Sequence, residues 1–318
     1  PYIDKITNLY ESYKSAKTTK EKERIYSEID KLSSEAAKYV APNELSVIVQ
    51  SLGGSGYNAY TTNDETVYVL SIPSNELEKW VRLERTRFGG LVLRLFHTEL
   101  ETVYEEFNKN QDNDFFWVIN DVNKKLYSGH PYGEKTTIGR PEDLKNPSMK
   151  AIMGFYNQYY VANNMAMILS GDFDYDKTIK IISENWSDFR QNKNLTFKEY
   201  TAKDFNKIAV DEVYGKQTEF VAIAYRFNGE IDQVESVKLG LLTEVLQNDK
   251  AGLFDINISQ KQKLLSVDKV LMSNKDYTTL MLVGVPKQGQ SLEDAKNTIL
   301  TEIDNLKKGN FNNELVES

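Results

Sequence analysis

Residues 98–106 read Thr-Glu-Leu-Glu-Thr-Val-Tyr-Glu-Glu, a run in which carboxylates and apolar residues are interleaved in a helical pattern. Glu99 and Glu106 are seven positions apart. Because an α-helix has about 3.6 residues per turn, this spacing places both side chains on one face, with Val103 on the same stripe. A solvated acidic helix would explain these residues alone, since runs of charge usually face water. The surrounding sequence favours a functional site over a solvated helix.

A glycine-rich turn, extended segments and a helix start precede this acidic run. Residues 53–68 read Gly-Gly-Ser-Gly-Tyr-Asn-Ala-Tyr-Thr-Thr-Asn-Asp-Glu-Thr-Val-Tyr, and the Tyr, Thr and Val residues are typical of strands. Residues 72–77 read Ile-Pro-Ser-Asn-Glu-Leu, in which Pro-Ser-Asn signals the start of a helix. The pattern predicts extended structure followed by a helix.

The order of four motifs in this region resembles the pitrilysin or insulinase family of inverted zinc peptidases. These motifs are Asn-Ala-Tyr-Thr, Thr-Val-Tyr, Pro-Ser and Glu-x-x-x-Val-x-Glu-Glu. The likeness runs from about Leu45 to the last residue. It implies an α+β fold of two repeated sheet-plus-helix domains of the LuxS-like metallopeptidase type, the second incomplete. It also implies a hydrolase that needs zinc and cleaves extended peptides or small unfolded proteins. The downstream motifs are His130-Pro131-Tyr132-Gly133, Thr137-Ile138-Gly139, Tyr159-Tyr160, Asn163-Asn164-Met165, Ser170-Gly171-Asp172-Phe173, Ala251-Gly252-Leu253-Phe254, Gln260-Lys261-Gln262 and Lys307-Lys308-Gly309-Asn310-Phe311.

The family's zinc ligands are only partly present in this sequence. The family uses H-x-x-E-H on one helix plus a glutamate from a later helix. The only histidines here, His97 and His130, are thirty-three positions apart, so the motif is missing. By resemblance, Glu106 corresponds to the distal zinc-ligand glutamate, and Glu99 to the carboxylate that supports the site. One ligand of three is present.

The missing histidines have two explanations. In relatives they lie roughly seventy-five residues before the ligand glutamate, but apolar residues at helical spacing predict an inserted helical hairpin over residues 3–40 here. The insertion would move the motif upstream of Pro1, and the chain stops at residues 315–318 before further expected strands. We therefore expect a piece of a longer peptidase, inert as isolated. The alternative is a non-catalytic scaffold or peptide-binding homologue. Retention of Glu99 and Glu106 argues against it, because an inactive site would not need two carboxylates that point inward.

Composition restricts the classes of partner. A net charge of -8 and a pI near 5.1 argue against nucleic acid, whose phosphates would be repelled. The absence of cysteine excludes a disulfide framework and a thiolate zinc site. No apolar run approaches the length of a membrane span. The expected partners are an extended peptide substrate and either the remaining domains of a parent chain or a homologous subunit. The compartment is left open between bacterial periplasm and cytoplasm.

The polar stretch at residues 187–194 predicts a boundary between a first domain at 1–194 and a second at 195–318. One long helix is expected from Leu95 to Tyr127, carrying both glutamates. In the second domain, strands are expected near residues 220–227, 264–270 and 278–285, and helices near 237–246 and 292–306.

Two residues of the extended segment at residues 53–68 are candidates for binding substrate. By resemblance, Asn58 and Ala59 belong to an edge strand that pairs with the backbone of an extended peptide, which needs only free N–H and C=O groups. Without the resemblance, an ordinary strand after a glycine turn is the simpler interpretation. His97 is expected to be a surface or packing residue, and His130 to belong to a turn.

Overall fold

The first two helices pack against each other as the expected hairpin. In the computed structural model, which describes residues 2–41 and 43–311, α1 is Tyr2–Ser15 and α2 is Thr19–Ala37. Thr18 caps α2, since its hydroxyl accepts a hydrogen bond from the Glu21 N–H at 3.3 Å. Their apolar stripes form a core with Met149 from a later helix; the buried residues that α1 and α2 contribute are Ile6, Tyr10, Ile25, Ile29 and Ala36.

The chain divides into two compact units. The first comprises Pro1–Lys109 and Thr137–Glu199, and the second comprises Asn110–Thr136 and Tyr200–Ser318. The predicted boundary between residues 194 and 195 stays a prediction. The expected truncation near residues 315–318 lies outside the described residues.

The first unit continues with a small sheet and further helices. A 3₁₀ turn at Ser74–Glu76, opened by Pro73, leads into the helix that the Pro-Ser-Asn signal predicts. The elements are α3 (Glu44–Ser51), β1 (Ser55–Thr61), β2 (Thr66–Ser71), α4 (Leu77–Gly89), α5 (Phe96–Gln111), α8 (Pro141–Lys145), α9 (Met149–Tyr159), a 3₁₀ turn (Ala162–Asn164) and α10 (Tyr175–Trp186), with α6 (Asp114–Leu126) and α7 (Pro131–Glu134) in the second unit.

The expected single helix from Leu95 to Tyr127 is wrong, because α5 and α6 are separate helices. The break falls at Asp112 and Asn113. Asn113 is extended, with φ -99° and ψ 109°, and its side-chain oxygen accepts a hydrogen bond from the Phe115 N–H at 3.0 Å. A short amide side chain that bonds its own backbone competes with the helix and starts a new one.

The second unit is built on a three-stranded antiparallel sheet. Its strands are β3 (Val221–Asn228), β4 (Ser266–Ser273) and β5 (Tyr277–Val285), in the order β3-β5-β4. The helices are α11 (Gln233–Leu246) and α12 (Leu292–Lys307), with a π-helical turn at Asp255–Ser259. The central strand β5 is the most buried, and Leu282 pairs with Ile223 on one side and Lys269 on the other. These elements confirm the strands and helices expected here, and the α+β class.

No helix in the described ranges combines the length and the apolarity needed to cross a bilayer.

Candidate functional site

Helix α5 presents Glu99 and Glu106 to solvent. Both residues are exposed, and Val103 between them is half-buried, while His97 and Phe107 on the same helix are buried. In residues 2–41 and 43–311, neither glutamate forms an ion pair or a hydrogen bond with another side chain. The two carboxylates are therefore free to accept a ligand. The expectation that these glutamates point inward is wrong, because both side chains face solvent.

Both histidines are buried and already bonded. The His97 side chain is held by Tyr10, whose hydroxyl is 2.7 Å from Nδ1. His130 is 1% exposed and caps α7, accepting a hydrogen bond from the Tyr132 N–H at 3.2 Å, with its Nε2 3.3 Å from an Asp276 carboxylate oxygen. The packing and turn roles expected for them are confirmed. Across the described ranges, no group of three or more His, Asp or Glu side chains could bind a metal ion.

Strand β1 carries Asn58 and Ala59, and it is entirely exposed. Among the described residues it pairs only with β2, so one of its edges is open. The Thr62 N–H donates to the Glu65 carbonyl at 2.9 Å, which makes that pair a hydrogen-bonded one. Hydrogen-bonded and non-hydrogen-bonded pairs alternate in an antiparallel ladder.

The alternation fixes which backbone groups of β1 point outward. Counting back from Thr62, Tyr60 and Asn58 bond β2, whereas Ala59 and its partner Tyr68 form a non-hydrogen-bonded pair. The Ala59 N–H and C=O therefore point to the open edge. In agreement, the Ala59 N–H donates to the side-chain oxygen of Asn58 at 2.8 Å instead of to β2.

Arg87 of α4 contacts both strands of the β1–β2 hairpin. Its Nη1 donates to the Tyr57 hydroxyl of β1 at 3.1 Å. Its guanidinium lies 4.6 Å from the ring centre of Tyr68 of β2 and 4.6 Å from that of Phe88. Such cation–π contacts contribute more when they are desolvated. One side chain thus contacts both strands that carry the candidate binding edge.

Arg87 is itself paired with a buried carboxylate. Glu84 is 7% exposed, and its Oε2 is 3.0 Å from the Arg87 Nε. Burial raises the pKa of Glu84 above its ordinary value, and the opposing effect of Arg87 is smaller. The pair fixes the Arg87 side chain beneath the hairpin at the cost of burying a carboxylate.

Comparison with known proteins identifies the family. The sequence profile described as Peptidase M16 inactive domain matches residues 148–318, more than half of the chain. This chain belongs to the M16 peptidase family. The pitrilysin and insulinase relationship inferred from the motifs is confirmed.

The relatives of this chain include proteins named as zinc proteases. The chain is 26% identical to zinc protease PqqE of Helicobacter pylori, over 88% of this chain and 64% of that protein. It is 22% identical to the probable zinc protease PqqL of Escherichia coli, over 86% of this chain and 30% of that protein. The chain thus spans less than two thirds of the length of these M16 relatives.

Solved structures confirm the M16 fold. The crystal structure of a protease from Helicobacter pylori superposes with a TM-score of 0.75 at 21% identity, covering 86% of this chain and 67% of that one. Pitrilysin superposes with a TM-score of 0.62 at 18% identity, covering 86% of this chain and 30% of that one.

The roles of Glu84, Arg87 and Tyr10 have no signal in the sequence. An acid and a base three positions apart on a helix are an ordinary surface pair, so nothing local indicates that Glu84 and Arg87 are buried. Tyr10 and His97 are 87 positions apart, and no spacing rule connects them. These contacts arise from tertiary packing.

We predict that the stability of Glu84→Gln relative to the wild-type chain rises as the pH rises. Because the folded-state pKa of Glu84 is raised above the reference value of 4.5, its contribution to stability is present below about pH 4.5 and is lost as the pH rises through the raised value. A neutral amide does not undergo this loss. Urea unfolding of both proteins at a series of pH values between about 4 and 7 measures the difference.

The control is Glu78→Gln on the same helix, because the Glu78 side chain is 52% exposed and pairs with Arg82. Its difference from the wild type should be nearly independent of pH over that range. A Glu84→Gln difference that is flat, or that grows toward low pH, would contradict the burial argument.

Proposed function

We propose that this chain is part of a zinc metallopeptidase that hydrolyses extended peptides or small unfolded proteins. Glu106 would be one zinc ligand, and Glu99 would support the site. The observation that carries this proposal is two exposed glutamates, seven positions apart on α5 and free of other side-chain partners in the described ranges, in a member of the M16 family. The zinc proteases among its relatives support the metal.

The donor set of this chain alone does not fit zinc. Protein zinc sites are usually tetrahedral and use mainly imidazole and thiolate ligands. Here Glu106 is one carboxylate, cysteine is absent, and both histidines are buried in bonds to other groups. We infer that the remaining ligands come from outside this sequence and that the chain by itself is inert.

The open edge of β1 supports an extended peptide as the substrate. Strand addition uses main-chain hydrogen bonds, so the outward N–H and C=O of Ala59 would bind peptides of many sequences. The bond from the Ala59 N–H to the Asn58 side chain, and not to β2, supports this role. A folded protein cannot offer an unpaired strand as readily, which favours unfolded or short substrates.

The alternative is a scaffold or peptide-binding protein of the same fold. The description of the matching family profile as an inactive domain favours it. Such a protein would keep the β1 edge and bind peptides without hydrolysing them. The full-length protein distinguishes the two: peptide hydrolysis that a zinc chelator abolishes supports the enzyme, and peptide binding without hydrolysis supports the scaffold.

The isolated chain is predicted to bind zinc weakly or not at all. One carboxylate, with a neighbour that could assist, cannot close a tetrahedral site. Isothermal titration with zinc should show no stoichiometric binding at micromolar concentration. Tight binding that Glu106→Gln abolishes would mean that ligands are present which the structure does not bring together.

In the full-length protein, Glu106→Gln is predicted to abolish peptidase activity, because a residue that would bind the metal directly loses its charge. Glu99→Gln should lower kcat/KM by about ten- to a hundredfold, the usual scale for an outer-shell partner. Steady-state kinetics with a fluorogenic peptide measures both. The control is Glu105→Gln, an exposed neighbour on the same helix, which should remain within a small factor of the wild type. Full activity of Glu106→Gln would refute the ligand assignment.

Ala59→Pro is predicted to weaken peptide binding by about two- to tenfold, the equivalent of one net hydrogen bond. Proline removes the outward N–H while leaving the bonds of Asn58 and Tyr60 to β2, since Ala59 does not bond that strand. Fluorescence anisotropy of a labelled peptide with the full-length protein measures the affinity. Ala59→Val keeps the N–H and should retain most of it. Equal losses in both variants would indicate a steric effect instead.

A further inference from the structure

The only Asn-Gly pair in the sequence, Asn228-Gly229, lies where β3 ends. An asparagine amide is open to attack by the backbone nitrogen of the next residue, and glycine permits this best because it has no side chain to shield that nitrogen. Asn228 is exposed, whereas the residues before it in β3 are half-buried. An open cavity of about 360 Å³, lined in part by Asn228 and Glu235, gives water access to the pair. The pair is therefore both reactive and accessible.

Packing requires glycine at this position. A side-chain carbon on Gly229 would collide with the carbonyl oxygens of Lys275 and Asn274. The turn after β3 lies directly against the β4–β5 turn, since the Gly229 N–H donates to the Asp276 carbonyl at 3.1 Å. The Glu230 N–H donates to the Asn274 carbonyl at 3.0 Å. The fold thus keeps a reactive pair that a larger residue would protect.

One carboxylate holds the Asn228 side chain. Glu235, in the first turn of α11, accepts hydrogen bonds from the Asn228 backbone N–H at 3.2 Å and from its side-chain NH₂ at 2.8 Å. Because both donors bind one carboxylate, the side-chain amide is held beside its own backbone N–H and away from the Gly229 nitrogen. Asp232 fixes Glu235 in turn, since its side chain accepts a hydrogen bond from the Glu235 N–H at 3.0 Å.

The attacking nitrogen is restrained as well. It must lose its proton and approach the Asn228 Cγ, but its N–H is donated to the Asp276 carbonyl. Pairing of Asn228 with Tyr277 keeps the strand extended up to this point. The two reacting groups are thus bonded to different partners in the folded protein, and the reaction requires this junction to open locally.

We propose that Asn228 is a site of spontaneous deamidation whose rate Glu235 controls, and that the conversion detaches the first turn of α11 from β3. The Gly229 nitrogen attacks the Asn228 Cγ and gives up its proton, a new C–N bond closes a succinimide ring, and the Cγ–Nδ2 bond breaks with release of ammonia. Water then opens the ring. Attack at Cγ leaves an aspartate, and attack at the main-chain carbonyl leaves an isoaspartate. The inference does not depend on the proposed peptidase function.

The product cannot keep the contact between β3 and α11. An aspartate has no side-chain donor for Glu235, and two carboxylates at this distance repel each other. An isoaspartate adds a carbon to the main chain where the residues after β3 must stay in register with the β4–β5 turn. Either product opens the junction, and neither reverts, so the pair acts as a slow and irreversible clock.

The first test follows the reaction in the full-length protein by peptide mapping and mass spectrometry during incubation at mildly alkaline pH. Glu235→Ala should raise the deamidation rate of Asn228 by about tenfold, the equivalent of one hydrogen bond to a charged group. Glu293→Ala is the matched control, because it removes a first-turn carboxylate of α12 that binds Lys296. It should leave the rate unchanged, and so should both variants at Asn58. An unchanged rate at Asn228 in Glu235→Ala would overturn the proposal.

The second measurement needs no variant to fold. Wild-type protein unfolded in urea loses both restraints, so Asn228 should convert at least about tenfold faster than in the folded protein. Equal rates in the folded and unfolded protein would overturn the restraint by the fold. Absence of conversion at Asn228 in the unfolded chain would overturn the site itself.

The third measurement tests the detachment of α11. Asn228→Asp reproduces one product, and Asn228→Ser removes the amide without adding a charge. Amide hydrogen exchange in the first turn of α11 should be about two- to fivefold faster in Asn228→Asp than in Asn228→Ser, the scale of one exposed charge pair. Equal exchange in the two variants would overturn the detachment by charge repulsion.

Discussion

The division of α5 into a buried side and a solvated side is the constraint on which the candidate site depends. A helix that buries His97 and Phe107 must direct the residues between them elsewhere, and Glu99 and Glu106 occupy those positions. The burial of His97 is achieved by the first two helices of the chain, through Tyr10 and Tyr26, and the core of those helices extends to Phe96 and Leu100. The acidic face is therefore a consequence of where α5 is packed.

The hairpin that carries the candidate binding edge is supported by a second buried contact, between Glu84 and Arg87. A lone arginine beneath a two-stranded hairpin would be costly to desolvate, and the ion pair with Glu84, at 3.0 Å, offsets part of that cost. In return, the guanidinium presents a flat surface to Tyr68 and a donor to Tyr57. A two-stranded hairpin is only marginally stable by itself, so this support from α4 matters to its shape.

The sequence predicted much of the fold because local signals and tertiary packing agree. The helical hairpin, the Pro-Ser-Asn helix start and the strands of the second unit all form where the sequence predicted them. The helix break at Asn113 was missed because a capping amide resembles any other polar residue in a long helical pattern. The roles of Tyr10 and Arg87 were missed for a different reason: residues far apart in sequence meet only after packing, and no periodicity encodes that meeting.

The bond from the Ala59 N–H to its neighbour's side chain also bears on solubility. An open strand edge with unpaired donors is a template for other strands, including those of identical chains, and proteins usually blunt such edges. Asn58 covers one such donor, because its side-chain oxygen accepts the hydrogen bond of the Ala59 N–H. At this position a neighbouring strand would have to displace the Asn58 amide before it could pair, so the same side chain that marks the open edge also opposes unselective pairing there.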